Sequence, residues 1–101
     1  MRAPNQCRTK QEIRTEIDRL DKQLITLFGE RFAYVSRMAE LKSAPDEALV
    51  PERVEAVLQK VGLEAEAAGL DSRLARDLWR LLIDWNIEYE REKIAARKRG
   101  E

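Results

Sequence analysis

TKQEIRTEIDRLDKQLITLFGERFAYVSRMAELK, residues 9–42, decides the fold. Within it Ile13, Ile17, Leu20, Leu24, Leu27, Arg31, Tyr34, Met38 and Leu41 recur at alternating intervals of four and three. That is a heptad seam on one long helix, with an arginine where an apolar residue belongs. A neighbouring stripe, Arg14, Asp18, Asp21, Ile25, Phe28, Phe32, Val35, Ala39 and Lys42, keeps the same phase and widens the face. Thr9 and Glu12 have the spacing of a capping box, which satisfies free amides at a helix start. No proline interrupts up to Lys42, and the single Gly29 costs such a helix only about 1 kcal/mol.

Outward from this helix, punctuation sets the other elements. Ser43-Ala44-Pro45-Asp46-Glu47 breaks the first helix. Pro51 suits the first position of a second helix, which runs to about Ala68 with Gly69 as a left-handed cap. Asp71 suits the N-cap of a third, expected to reach about Arg97 before a basic tail frays. Val54, Val57, Leu58 and Val61 give the second helix one apolar face. The third carries two apolar stripes: Leu74, Leu78, Leu81 and Trp85, and Trp79, Ile83, Ile87 and Ile94. No stretch alternates as a strand would, so the chain reads as all-α, one domain over residues 1–101. A first helix of about 50 Å is too long for two shorter helices to cover. An intertwined homodimer is the expectation.

Composition limits the chemistry. Among 101 residues, 19 Lys plus Arg balance 19 Asp plus Glu, so no bulk field favours a polyanion. There is no histidine, which excludes Ser-His-Asp and Cys-His catalysis and removes the commonest zinc ligand. Cys7 is the single cysteine, so no intrachain disulfide forms. No metal or cofactor is implied. The opening MRAPNQCRTKQE has no apolar run of signal-peptide type, and no segment has the length of a membrane span, so a cytoplasmic location is expected. The tail Arg91, Lys93, Arg97, Lys98 and Arg99 is interrupted by Glu92, with Glu101 at the end and no interleaved aromatics. Nucleic-acid binding is not expected of it.

The informative residues are the polar ones on apolar faces. A buried charge needs a partner, a ligand or water. Arg31 reads as a snorkelling seam residue, as an interchain ion pair with Asp18 or Asp21, or as an anion-binding group. Arg14 and Lys42 read as solvated flank or as ligand contacts. Glu90 lies within the stripe of Ile87 and Ile94, with Asn86 one turn before it. It reads either as a salt bridge to Arg91 or Lys93, or as a functional carboxyl. Arg31 and Lys42 are 11 residues apart, about 16 Å along the axis and nearly eclipsed, so their long side chains are able to converge on one small anion. Arg14 and Lys42, about 42 Å apart on a straight helix, never share a ligand within one chain. If two long helices pair antiparallel near Ile25, Arg14 of one chain comes level with the partner's Ser36. Two equivalent sites then form, each fed by both chains.

These residues resemble the all-helical chorismate mutase family. The resemblance is carried by Arg14 in IRTEIDRLD, Arg31 in GERFAYV, Lys42 in AELK, Arg53 in PERV and Glu90 in LLIDWNIEYE, in order across three helices. It implies a homodimer acting on a small dicarboxylate, chorismate, in a concerted rearrangement to prephenate that needs no nucleophile, metal or redox cofactor. It also implies roles. Arg14 from the partner chain and Arg31 hold the carboxylates, and Lys42 and Glu90 donate to the breaking ether oxygen. Arg53 closes over the substrate, and Asn86 and Ile87 join the binding face. Guanidinium forks suit carboxylates.

Two positions depart from the mutase pattern. Val50 and Val54 stand where some family members carry acidic residues. That replacement, with the N-terminal layout, PERV and GLD, resembles the isochorismate pyruvate-lyase branch, which forms salicylate and pyruvate from isochorismate. Against it, that branch typically carries Gln where this chain has Glu90. A mutase acting on an amino-substituted chorismate is a further reading of the same scaffold. A non-enzymatic helical dimerisation module is the alternative outside enzymes.

Overall fold

A computed structural model describes residues 1–100. Three α-helices order the chain: α1 (Lys10–Leu41), α2 (Pro51–Ala67) and α3 (Ser72–Arg99). Short 3-10 turns, Pro4–Gln6 and Pro45–Glu47, precede α1 and follow it. No strand occurs among the described residues. The all-α reading holds, with two adjustments. The segment after α1 is an ordered 3-10 turn rather than a plain break. In addition, α3 runs two residues past its expected end, because Arg97 is anchored instead of frayed.

The caps follow the residues that suit them. The Glu12 amide donates to Thr9 Oγ1 at 3.1 Å, and the Thr9 amide donates to Glu12 Oε1 at 3.3 Å, completing the capping box. Pro51 opens α2, and Gly69 takes a φ of 76° just past its end, a value that only glycine adopts without strain. Asp71 Oδ1 accepts from the Arg73 amide at 2.8 Å and opens α3.

Contacts gather the chain into two bodies, Met1–Tyr34 and Val35–Glu101. In the first, most of α1 stands with its apolar seam in the open. Ile13, Ile17, Leu20, Leu24 and Leu27 are all exposed. In the second, α3 packs on α2 and on the 3-10 turn at Pro45–Glu47. Val54, Leu58 and Ile83 form its core, with Val57, Trp79 and Ile87 packed against them. Burying each such aliphatic side chain is worth about 1.5–3 kcal/mol. Gly62 is buried where α2 meets the Arg76 side chain, whose Nη1 would lie 2.9 Å from an added Cβ. Of the two stripes on α3, the one with Ile83 and Ile94 faces inward. The one with Leu74, Leu78, Leu81 and Trp85 is left outside.

Candidate functional site

The end of α1 sets the candidate site. A helix leaves its last carbonyls without intrahelical donors, and here these begin at Ala39. The Lys42 amide still donates to Met38 O at 3.1 Å. The Ser43 and Ala44 amides turn aside to Glu47 Oε2 instead. Ala39 O and Glu40 O thereby lose the donors a continuing helix would provide. Arg97 replaces them, with Nη1 3.0 Å from Ala39 O and 3.2 Å from Glu40 O, while Nη2 donates to Lys42 O. The two amides that hold the Glu47 carboxylate, Ala44 foremost and then Ser43, keep its pKa below the ordinary value.

Lys42 leaves this terminus half-buried. Its Nζ donates to Ala48 O at 3.5 Å and lies 2.8 Å from Glu90 Oε1. Glu90 is 6% exposed, on the inward side of α3 between buried Asn86 and the fully buried Ile94. The contact with Lys42 is close enough for an ion pair but off the line of a hydrogen bond, so Oε1 has no hydrogen-bond partner. A buried carboxylate oxygen with that much bonding capacity left is costly in a purely structural role.

Of the residues singled out from the sequence, Lys42 and Glu90 come together, and Asn86 shares the buried face of Glu90 one turn earlier. Ile87 packs against the α2–α3 core. Arg53 stands exposed in the first turn of α2, beside buried Val54. Arg31, half-buried, and Arg14, exposed, lie on α1 in the first body. The expectation that Glu90 pairs with Arg91 or Lys93 is corrected. Arg91 pairs with Glu88 at 3.8 Å, and Lys93 sits 5.6 Å from the centre of the Tyr89 ring. Lys42 is nearer to Glu90 because α3 turns its acid inward, toward the end of α1.

Two residues went unread in the sequence. Arg97 was counted in a basic tail. Tyr89, whose hydroxyl lies 3.1 Å from Ser36 Oγ and whose ring stacks on Trp85 at 5.9 Å, was not singled out at all. Each pairs with a residue more than fifty positions away, so no local spacing signals it. The Lys42 ammonium has the chemistry to hold an anion, and the Glu90 carboxyl lies against it. Among the described residues, no three His, Cys, Asp or Glu side chains gather as metal ligands would.

Residues 13–91, from the first turn of α1 past Glu90, match the family chorismate mutase type II. The chain belongs to that family. The chorismate mutase type II match takes in Arg14, Arg31, Lys42, Arg53 and Glu90 and leaves Arg97 outside. Isochorismate pyruvate lyase of Pseudomonas aeruginosa is 33% identical over 87 residues, 86% of each chain. The T-protein of Haemophilus influenzae is 41% identical over 70 residues. That overlap is 68% of this chain but only 19% of the relative, so the chain spans about a fifth of that protein's length. The family and the Pseudomonas aeruginosa relative both carry enzyme names, so this is a domain of an enzyme family. No helix among the described residues is long and apolar enough to cross a membrane.

Proposed function

We propose that this protein is a chorismate mutase, converting chorismate to prephenate at a site built around Lys42 and Glu90. The observation that carries the reading is the 2.8 Å approach of Lys42 Nζ to a buried carboxyl oxygen that lacks a hydrogen-bond partner. In the rearrangement the ether C–O bond breaks as a C–C bond forms, and negative charge grows on the ether oxygen. No proton has to move and no covalent adduct forms. What accelerates such a step is a compact reactive conformer and donors already aimed at the developing charge. Lys42 donates from one side of the ether oxygen and protonated Glu90 from the other. Arg31 and Arg53 bind the substrate carboxylates, with Asn86 and Ile87 along the binding face.

The other carboxylate contact is Arg14 of a second copy, so the working form is a homodimer. Support for the dimer comes from the apolar seam of α1 and the Leu74, Leu78, Leu81, Trp85 stripe of α3. Both are more exposed than a monomer tolerates without function. Residues 1–101 act as one unit in that assembly.

A second reading, isochorismate pyruvate lyase, is favoured by the Pseudomonas aeruginosa relative and by Val50 and Val54 at positions acidic in some mutases. Val54 is a core residue here and has no polar group to offer a substrate. The deciding experiment supplies the purified chain with chorismate and, separately, isochorismate, and follows prephenate, salicylate and pyruvate. Prephenate from chorismate at the higher kcat/KM is the expected result. Salicylate and pyruvate at the higher value replace the mutase reading with the lyase one. No turnover of either favours a dimerisation module.

A further inference from the structure

One residue of the cationic tail of α3, Arg97, binds the end of the helix that leads into Lys42. Arg97 is the residue that closes α1, taking Ala39 O, Glu40 O and Lys42 O after Glu47 has drawn off the amides of Ser43 and Ala44. It sits seven residues after Glu90, two helical turns on and on the same side of α3. One rigid helix therefore grips the backbone of Lys42 with one side chain and meets its Nζ with another. A charged fork across consecutive carbonyls fixes both the position and the direction of the last turn, which a single amine does not. The remaining tie on Lys42 is its 3.5 Å bond to Ala48 O, long for a hydrogen bond.

We infer that Arg97 is a positioning residue for Lys42, setting the register of the Lys42 amine against Glu90 without touching the substrate. The inference rests on the reading of Lys42 as a donor to the substrate. Misplacing a catalytic group by about 1 Å costs on the order of 100-fold in rate. Arg97→Gln is accordingly expected to lower kcat by about 10- to 100-fold with a smaller change in KM, and Arg97→Lys to recover part of the loss.

A general loosening of the fold would also slow turnover, so the test is a cycle with Lys42→Ala. If Arg97 acts through Lys42, adding Arg97→Gln to Lys42→Ala causes no further loss beyond about twofold. An equal loss in both backgrounds overturns the inference, as does an unchanged kcat in Arg97→Gln alone. The Lys42 side-chain Cε resonance, assigned with Lys42→Arg, is measured in the folded protein without substrate. It should move in Arg97→Gln and return partway in Arg97→Lys. A resonance that stays in place in both variants overturns the inference. Should the wild-type protein turn over neither substrate, the donor reading fails alone and this resonance still decides whether Arg97 places Lys42. If Arg97→Gln does not fold, Arg97→Lys carries the same cycle and the same spectrum.

Discussion

Glu90 holds a buried oxygen that meets Lys42 without a hydrogen bond, and its use depends on what that oxygen can do. An ionised carboxylate only accepts hydrogen bonds, so donation to an ether oxygen requires the protonated form. Gln offers an N–H of nearly the same shape at every pH. Glu90→Gln is expected to keep mutase turnover within about tenfold of the wild type, because its amide N–H donates from the same place. Steady-state kinetics on the two proteins check this. An inactive but folded variant would assign the carboxyl another role. The sequence marked Glu90 because an acid interrupts the Ile87–Ile94 stripe; local spacing offered Arg91 or Lys93 as its cation, and only the family resemblance set Lys42 opposite it. Neighbours in sequence are easy to pair on paper, whereas Lys42 is 48 positions away and reaches Glu90 only through the fold.

At the scale of elements, the joint between α1 and α2 is an electrostatic device. Glu47 serves the amides of Ser43 and Ala44, and those bonds hold its pKa below the ordinary 4.5. A depressed carboxyl contributes stability above its unfolded value and loses it as pH falls through the folded one. Wild type and Glu47→Gln should therefore differ in Tm at neutral pH and converge below the ordinary carboxylate range, as melting curves across an acid series would show. The helices themselves were legible from capping residues and periodicity, since Thr9, Pro51, Gly69 and Asp71 each act locally. Their joint was not. Pro45 announced a stop, yet the 3-10 turn and the Arg97 clamp depend on contacts between distant segments.

For the whole molecule, the periodicity of α1 states a need that one chain leaves unmet. Its seam residues, with the α3 stripe, stay exposed although their spacing is that of a buried interface. Light scattering should give twice the 11.8 kDa chain mass. If each site draws Arg14 from one copy and Arg31 from the other, Arg14→Ala and Arg31→Ala should each lose about 100-fold or more in kcat/KM. Mixing the two under subunit exchange should then recover about a quarter of wild-type activity, because half the molecules become mixed dimers with one intact site of two. Exchange without recovery would mean that Arg14 does not act across the interface. The sequence supplied the family and the order of these residues. Sharing between chains rests on the helix length and the family resemblance, because periodicity says that a face is covered and not by what.

The two apolar stripes of α3 also separate the two tryptophans. Trp79 packs against the α2–α3 core, while Trp85, six residues on, is 60% exposed on the outward stripe. Their emission then reports different events. Trp79 registers the melting of the core, and Trp85 registers whatever comes to lie on the open face, so its spectrum should shift to shorter wavelength as that face dries. With Trp79→Phe in one sample and Trp85→Phe in another, dilution and denaturant titrations would resolve association from folding optically, with no external label.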